Sequence, residues 1–311
     1  MRRFLLARDF LDSRDELPIT ADEHESAAEA FATISEIVLL EERFDALTSN
    51  FLDFEKSMMA NLLEFNHVGI QEGMHQMNVR RQLNRLLTNT MSSAKGYVDH
   101  LPRTCNRVFG DTVHGGEEFK NLLRTSYDSV LGYRIFEALR NHSQHFGFPI
   151  QSIEYGLSMD GEFPKMQARH TISPLIDVDA LKRDSSFKAS TLKEMEELGK
   201  KIDLKPHLRD YVTELSKTHY YFRELSSPVA EKSANLLNEL VNKYLAVFPK
   251  LKSSIGLFAF AVDEKTWLNR VPLFTGLDEY GRYLANNNVH FNHSNAGFLA
   301  TADRNLQESK N

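Results

Sequence analysis

Residues 22–65 contain neither glycine nor proline, and their apolar side chains return at helical spacing. Phe31, Ile34, Ile37 and Val38 fall on one stripe, which Phe44 and Leu47 continue. A chain that commits so long a run to amphipathic helix must bury that stripe against other helices, so the architecture it permits is a bundle. Thr48, Ser49 and Asn50 favour helix caps and mark a place where the run would divide into two helices.

The same reading extends downstream. A helix is expected over 71–101, with Leu83, Leu86, Leu87, Met91, Ala94, Tyr97, Val98 and Leu101 on its apolar face and Pro102 as its stop. Arg81 and Arg85 lie on the opposite face, one turn apart. After the loop FGDTVHGGEE a third helix should begin near Glu117, where acidic residues suit the positive end of the dipole. Phe119, Leu122, Leu123, Tyr127, Val130, Leu131, Ile135 and Leu139 carry it to about Phe146, and Gly147 and Pro149 end it.

The period then changes from helical to alternating. IQSIEYGLSM and KMQARHTIS read as two strands of a hairpin turning at Asp160-Gly161, with Ile153, Tyr155 and Leu157 on one face. Helical pattern returns in STLKEMEELGKKI and from about His207 to Phe248, with a break expected at Ser227-Pro228. SIGLFAFAV reads as one short buried strand, DEYGRYLANNN as a helix, and the last residues as a frayed end. The expected fold is therefore mainly α: a helical bundle over 1–148, an inserted β-hairpin over 149–176, and a small C-terminal α/β portion over 177–311 belonging to the same domain. Without an evident linker, the 311 residues suffice for one large core.

Charge and cysteine content exclude little. The single Cys105 cannot form an internal disulfide and reads as a buried small hydrophobe. The opening MRRFLLARDFLDSRDELP has too short an apolar run for a signal segment, and no stretch is long and apolar enough for a membrane span, so a cytoplasmic chain without membrane contact is expected. The net charge of −6 argues against a general nucleic-acid binder, but it is uneven. Residues 15–56 are strongly acidic, whereas Arg80, Arg81, Arg85, Lys95, Arg103 and Arg107 face only Asp99 between Met74 and Gly110. That basic segment is either a phosphate-facing surface or the complement of the acidic helices.

The one stretch that points to a chemistry is ALRNHSQHFGFP, residues 138–149. Asn141 and His145 share a helix face, as do His142 and His145, whereas Arg140 and His145 stand about 140° apart around a regular helix. Arg140 and His145 converge only if the last turn loosens, if the arginine reaches round, or if a second subunit supplies one of them. As a plain helix end the stretch also makes sense, because the dipole favours Arg140 there and histidines can bond terminal carbonyls.

RNHSQH, late in a bundle helix, resembles the signature of the HEPN superfamily (higher eukaryotes and prokaryotes nucleotide-binding domains). The likeness covers roughly residues 71–146, and with LNRLLTNTMSSAKGYVDH ahead of it the layout is similar to large bacterial proteins carrying that signature. It implies a HEPN-like bundle, metal-independent RNA cleavage without a cofactor, and a role in defence or as a toxin with an antitoxin partner. Arg140, Asn141 and His145 would be catalytic, with His145 the acid or base, Arg140 holding the scissile phosphate and Asn141 orienting. Arg80, Arg81, Arg85 and His142 would bind the RNA, and the site would form across a homodimer. Departing from some members, Phe146 follows the histidine where they have an aromatic hydroxyl.

Other constellations are weaker. His142 with His145, and His290 with His293, are H-x-x-H pairs lacking further ligands, so no metal site is expected. Phosphate-loop, dinucleotide and serine-nucleophile motifs are absent. Asp177 and Asp179 should lead into a helix, Trp267 belongs to the core, and Tyr220, Tyr221 and Phe222 beside His219 and Arg223 read as core packing. The rival to a ribonuclease is a non-catalytic scaffold that offers its acidic N-terminal helices to a protein partner.

Overall fold

The computed structural model describes residues 2–9, 15–69, 73–110, 114–160, 167–249, 255–263, 266–274, 276–289 and 292–294. The described chain is mainly helical, with two small antiparallel sheets. The glycine-free run forms a single helix, α1 (Ala21–Val68). Its start is fixed by a capping box in which Thr20 Oγ1 accepts from the Glu23 amide and the Glu23 carboxylate accepts from the Thr20 amide. The expected division at Thr48–Asn50 does not occur. The Thr48 hydroxyl donates to the Phe44 carbonyl and the Asn50 amide to the Ala46 carbonyl, so both side chains bond the preceding turn instead of capping a new one. Leu47 and Phe51 on either side are buried and hold the helix through.

Proline fails as a break at two places as well, Pro102 and Pro228. Helix α2 (Met74–Phe109) runs through Pro102. A proline in a helix interior costs about 3 kcal/mol, but Leu101 and Cys105 beside it are fully buried, and burying one such side chain returns about 1.5–3 kcal/mol. Cys105 is thus the buried small side chain expected of it, and burial pushes its thiol up to about 12. Conversely, the expected single helix over 117–146 is two: α3 (Gly116–Ser129) and α4 (Leu131–His145). Val130 between them is extended, at φ −116° and ψ 115°. Arg134 takes the carbonyls left over at the end of α3, its Nη1 donating to Tyr127 O at 2.9 Å and Asp128 O at 2.8 Å.

The break lets α4 dock on α7 (Leu204–Val247), which itself runs through Pro228 where a break was expected. Gly132 makes the contact: a Cβ there would lie 2.4 Å from the His207 carbonyl oxygen. Gly132→Ala must push α4 off α7, and we expect it to destabilise the fold by about 1–3 kcal/mol in urea denaturation.

The hairpin is formed by β3 (Ser152–Asp160) and β4 (Gln167–Asp177), and β5 (Lys201–Asp203) joins β4 to make an antiparallel sheet in the order β3-β4-β5. Its turn at Gly161 lies outside the described residues, and Leu157 is exposed although Tyr155 stacks on Phe65. Asp177 caps the short α5 (Val178–Leu181), as its position ahead of a helix implied, and α6 (Ala189–Leu198) follows. The C-terminal part holds more than one short strand. Between β6 (Leu257–Asp263) and β2 (Leu17–Ile19) lies β1 (Arg2–Arg8), and β7 (Thr266–Pro272) closes the antiparallel order β2-β1-β6-β7. The apolar run FLLA at the start of the chain is therefore a strand paired with the far end of the sequence. The α8 helix (Gly276–Asn287) appears where expected, while the Trp267 side chain and the C-terminal residues lie outside the described part.

Two large apolar clusters result. One is built from α2, α3, α4, the middle of α1 and the first half of α7; the other joins the ends of α1 and α7 to the four-stranded sheet. Both long helices contribute to both clusters, so the bundle and the C-terminal portion share their framework. No helix among the described residues is long and apolar enough to cross a membrane.

Candidate functional site

Helix α4 buries Tyr133, Ile135, Phe136, Leu139 and His142, and leaves Asn141 and His145 exposed. It stays regular to its end, since Phe146 N bonds His142 O at 2.8 Å and Gly147 N bonds it at 3.1 Å. The last turn therefore does not loosen, and Arg140 and His145 remain on different sides. Among the described residues the arginine side chain bonds only its neighbour: its Nη2 donates to Asn141 Oδ1 at 2.7 Å, and its Nε is buried without a hydrogen-bond partner, so within one chain the expected convergence with His145 is not made. No carboxylate among the described residues pairs with Arg140, whereas Arg134, Arg209 and Arg223 each bind one.

Next to Asn141 is a cavity of about 210 Å³. Glu137, Ala138, Asn141 and His142 of α4 line it, with Tyr127 of α3 and Asp184, Ser186, Phe187 and Lys188 ahead of α6. Ala138, Asn141, His142 and His145 follow the i, i+3, i+4, i+7 spacing of one helical stripe. His145 thus stands one turn beyond the cavity wall, and Arg140 is linked to that wall only through its bond to Asn141.

His142, expected to touch substrate, has a fuller set of contacts than its sequence position indicated. Its side chain is 2% exposed, and its Nδ1 lies 2.8 Å from Asp184 Oδ2, itself buried. The other carboxylate oxygen accepts from the Ser186 amide at 2.9 Å and the Ser186 hydroxyl at 2.5 Å. These bonds from Ser186, reinforced by His142, hold the Asp184 carboxyl below the usual range despite its burial. Phe146 and Phe187 pack on the imidazole, at 5.1 and 6.1 Å between ring centres. Lys188 bonds the Tyr127 hydroxyl and sits 4.5 Å from the centre of its ring. Sequence reading passed over Asp184 and Lys188. DSS carries the local signal of an Asx-turn, but nothing in it announces a partner forty-two positions away.

The basic stripe lies beside the chain that leaves α4. Arg80, Arg81 and Arg85 are exposed; Arg80 Nη1 donates to Gln151 O at 3.2 Å, and Asn84 pairs with both the amide and the carbonyl of Ile150 at 3.0 and 2.9 Å. Other parts of the charge pattern are internal. Arg107 bonds Glu36, Arg209 binds Glu55 and Arg223 binds Glu41, so much of the acidic helix serves the fold. His219 and Phe222 are fully buried and Tyr221 is half-buried against the core, as expected, but Tyr220 is exposed, because successive residues of α7 cannot all face the core. His290 lies outside the described residues, and the His293 amide donates to Thr213 Oγ1 at 2.8 Å while its ring packs edge-on against Phe51.

The chain matches no family model, no curated protein and no solved structure.

Proposed function

We propose that this protein is a HEPN-like, metal-independent endoribonuclease acting through Arg140, Asn141 and His145. The observation that carries the reading is the state of Arg140: half-buried, bonded to the neutral Asn141, and without a carboxylate partner among the described residues. A guanidinium left without a counter-ion beside a polar cavity is suited to bind a phosphate oxygen and to offset charge that grows on it. His145, exposed on the cavity stripe, can exchange protons with solvent and with a bound ribose or leaving oxygen. Exposed Arg80, Arg81 and Arg85 provide a track for the RNA backbone. The function implied is RNA restriction in defence or as a toxin, with a second copy of the chain completing the assembly.

The scaffold reading draws less support, because Glu36, Glu41 and Glu55 of the acidic helix are committed to arginines of the same chain. The test is cleavage of a mixed RNA pool by the purified protein in EDTA. We expect products ending in 2′,3′-cyclic phosphate and 5′-hydroxyl. An intact pool after prolonged incubation at high enzyme concentration sinks the proposal.

A further inference from the structure

Cleavage of RNA by its own 2′-hydroxyl needs two proton transfers, one from the attacking oxygen and one to the leaving oxygen. A single exposed histidine supplies only one of them at a time. We infer that His142, oriented by Asp184, is the general base of the reaction and His145 its general acid, so that one chain carries both groups. This rests on the ribonuclease reading above and adds a catalytic residue to it.

Geometry carries the assignment. With Nδ1 on Asp184 at 2.8 Å, the imidazole is held as the tautomer whose other nitrogen, Nε2, is left as an acceptor on a ring that lines the cavity. Asp184 cannot swing away, because Ser186 holds its second oxygen through two hydrogen bonds. A buried carboxylate that fixes and supports an imidazole beside a polar cavity is the arrangement by which histidine is made an effective base. As a structural link alone, the pair needs no polar cavity against it, yet Asn141, Glu137 and Lys188 line the same space. The cavity of about 210 Å³ is smaller than the ~300–1,000 Å³ of most ligand pockets, which suits one nucleotide unit of a longer strand.

The step balances without any outside reagent. His142 Nε2 takes the proton of the ribose 2′-hydroxyl, the 2′-oxygen bonds to phosphorus, and the bond from phosphorus to the 5′-oxygen breaks. Protonated His145 delivers its proton to that 5′-oxygen, and Arg140 holds a non-bridging oxygen. Tyr127 of α3, Glu137 of α4, and Asp184 and Lys188 ahead of α6 are the other ionisable groups around the cavity, and they set the field in which the base works.

The experiment compares wild type, His142→Ala, His145→Ala and Asp184→Asn on RNA across pH, and on the four nucleoside 3′-(4-nitrophenyl phosphates). The nitrophenolate group leaves without a proton. His145→Ala should lose at least about 10²-fold on RNA and recover most of that on the nitrophenyl esters, whereas His142→Ala should lose about 10²–10⁴-fold on both. Asp184 is a positioning residue. Its replacement by Asn should lower kcat by about 10-fold or more with KM little changed, on RNA and on the nitrophenyl esters alike, a split that a merely structural role would not cause.

Should His142→Ala fail to fold cooperatively, Asp184→Asn decides by that split. A wild-type-like kcat in the His142 or Asp184 variants, with His145→Ala inactive, overturns this inference and leaves the ribonuclease reading standing. So does rescue of His142→Ala by the nitrophenyl esters. A wild type that cleaves nothing sinks both.

Discussion

Arg140→Ala and His145→Ala are each expected to abolish most RNA cleavage while leaving the fold intact. Removing His145 deletes a proton transfer, worth about 10²–10⁴-fold in rate. Removing Arg140 deletes a preorganised charge at the phosphate, worth about 10²–10³-fold on the scale of single oxyanion donors. Neither change should unfold the chain. His145 is exposed, and the hydrogen-bond partner of Arg140 is the exposed Asn141, so stability should move by no more than about 0.5–1 kcal/mol. Because the proposed mechanism has both residues act on one transition state, the double variant should lose far less than the product of the single losses. Single-turnover cleavage assays with circular dichroism melts check both parts. If either variant retains wild-type cleavage, that residue has no catalytic role, and the exposed end of α4 is only a helix end.

Glu41→Ala is expected to cost about 3–5 kcal/mol of stability. Glu41 is 4% exposed in the middle of α1. Its carboxylate accepts from Arg223 Nε at 2.8 Å and Nη2 at 2.6 Å, and lies 3.1 Å from His219 Nε2. His219 stacks on Phe44 at 3.9 Å, and Arg223 also donates to Asn288 O at 2.8 Å, so this one carboxylate ties α1 to α7 and to the chain after α8. Truncation leaves a largely buried guanidinium without its counter-charge, which is the expensive way to break such a pair. Urea denaturation should show a lower midpoint with an unchanged slope.

The same group sets a pH dependence. Burial alone would raise the Glu41 carboxyl, but His219 and Arg223 outweigh it and hold it at about 2, below its ordinary value of 4.5. The folded state therefore prefers the ionised form more than the unfolded state does. Its contribution to stability is fully present above about pH 4.5 and is lost as the pH falls toward 2. Burial lowers the pKa of His219, so protonation of the unfolded chain below its ordinary 6.5 pulls in the same direction. Glu41→Gln should flatten the loss between pH 4.5 and 2 relative to wild type; an identical acid-denaturation curve would show that the pair carries no such linkage.

What was legible in the sequence was periodicity. Apolar residues at helical spacing identified α1, the body of α2 and the stripe of α4, and alternation identified β3 and β4, because burial of one face leaves its mark at 3.6 or 2 residues wherever it occurs. The motif residues were legible too, and so was the stripe Asn141–His145, since residues four apart on a helix share a face in any context. Local break signals were the poorer guide. Thr48, Pro102 and Pro228 all sit inside helices, while Val130, an ordinary helix residue by pattern, ends one. Their intrinsic costs of about 1–3 kcal/mol are comparable with what tertiary burial of one or two neighbours supplies, so packing decides.

Pairings between distant segments were decided only by the tertiary structure. β1 finds β6 across most of the chain, and Asp184 finds His142 across the β3–β4 hairpin and α5. Neither contact leaves a periodic trace, because each depends on where whole elements dock rather than on the residues flanking it. The sequence by itself determined that this protein is a helical bundle with Arg140, Asn141 and His145 at the end of one helix. Only the packing of α4 against the segment ahead of α6 turned His142 from a helix-end histidine into a buried imidazole held by a carboxylate at a cavity wall.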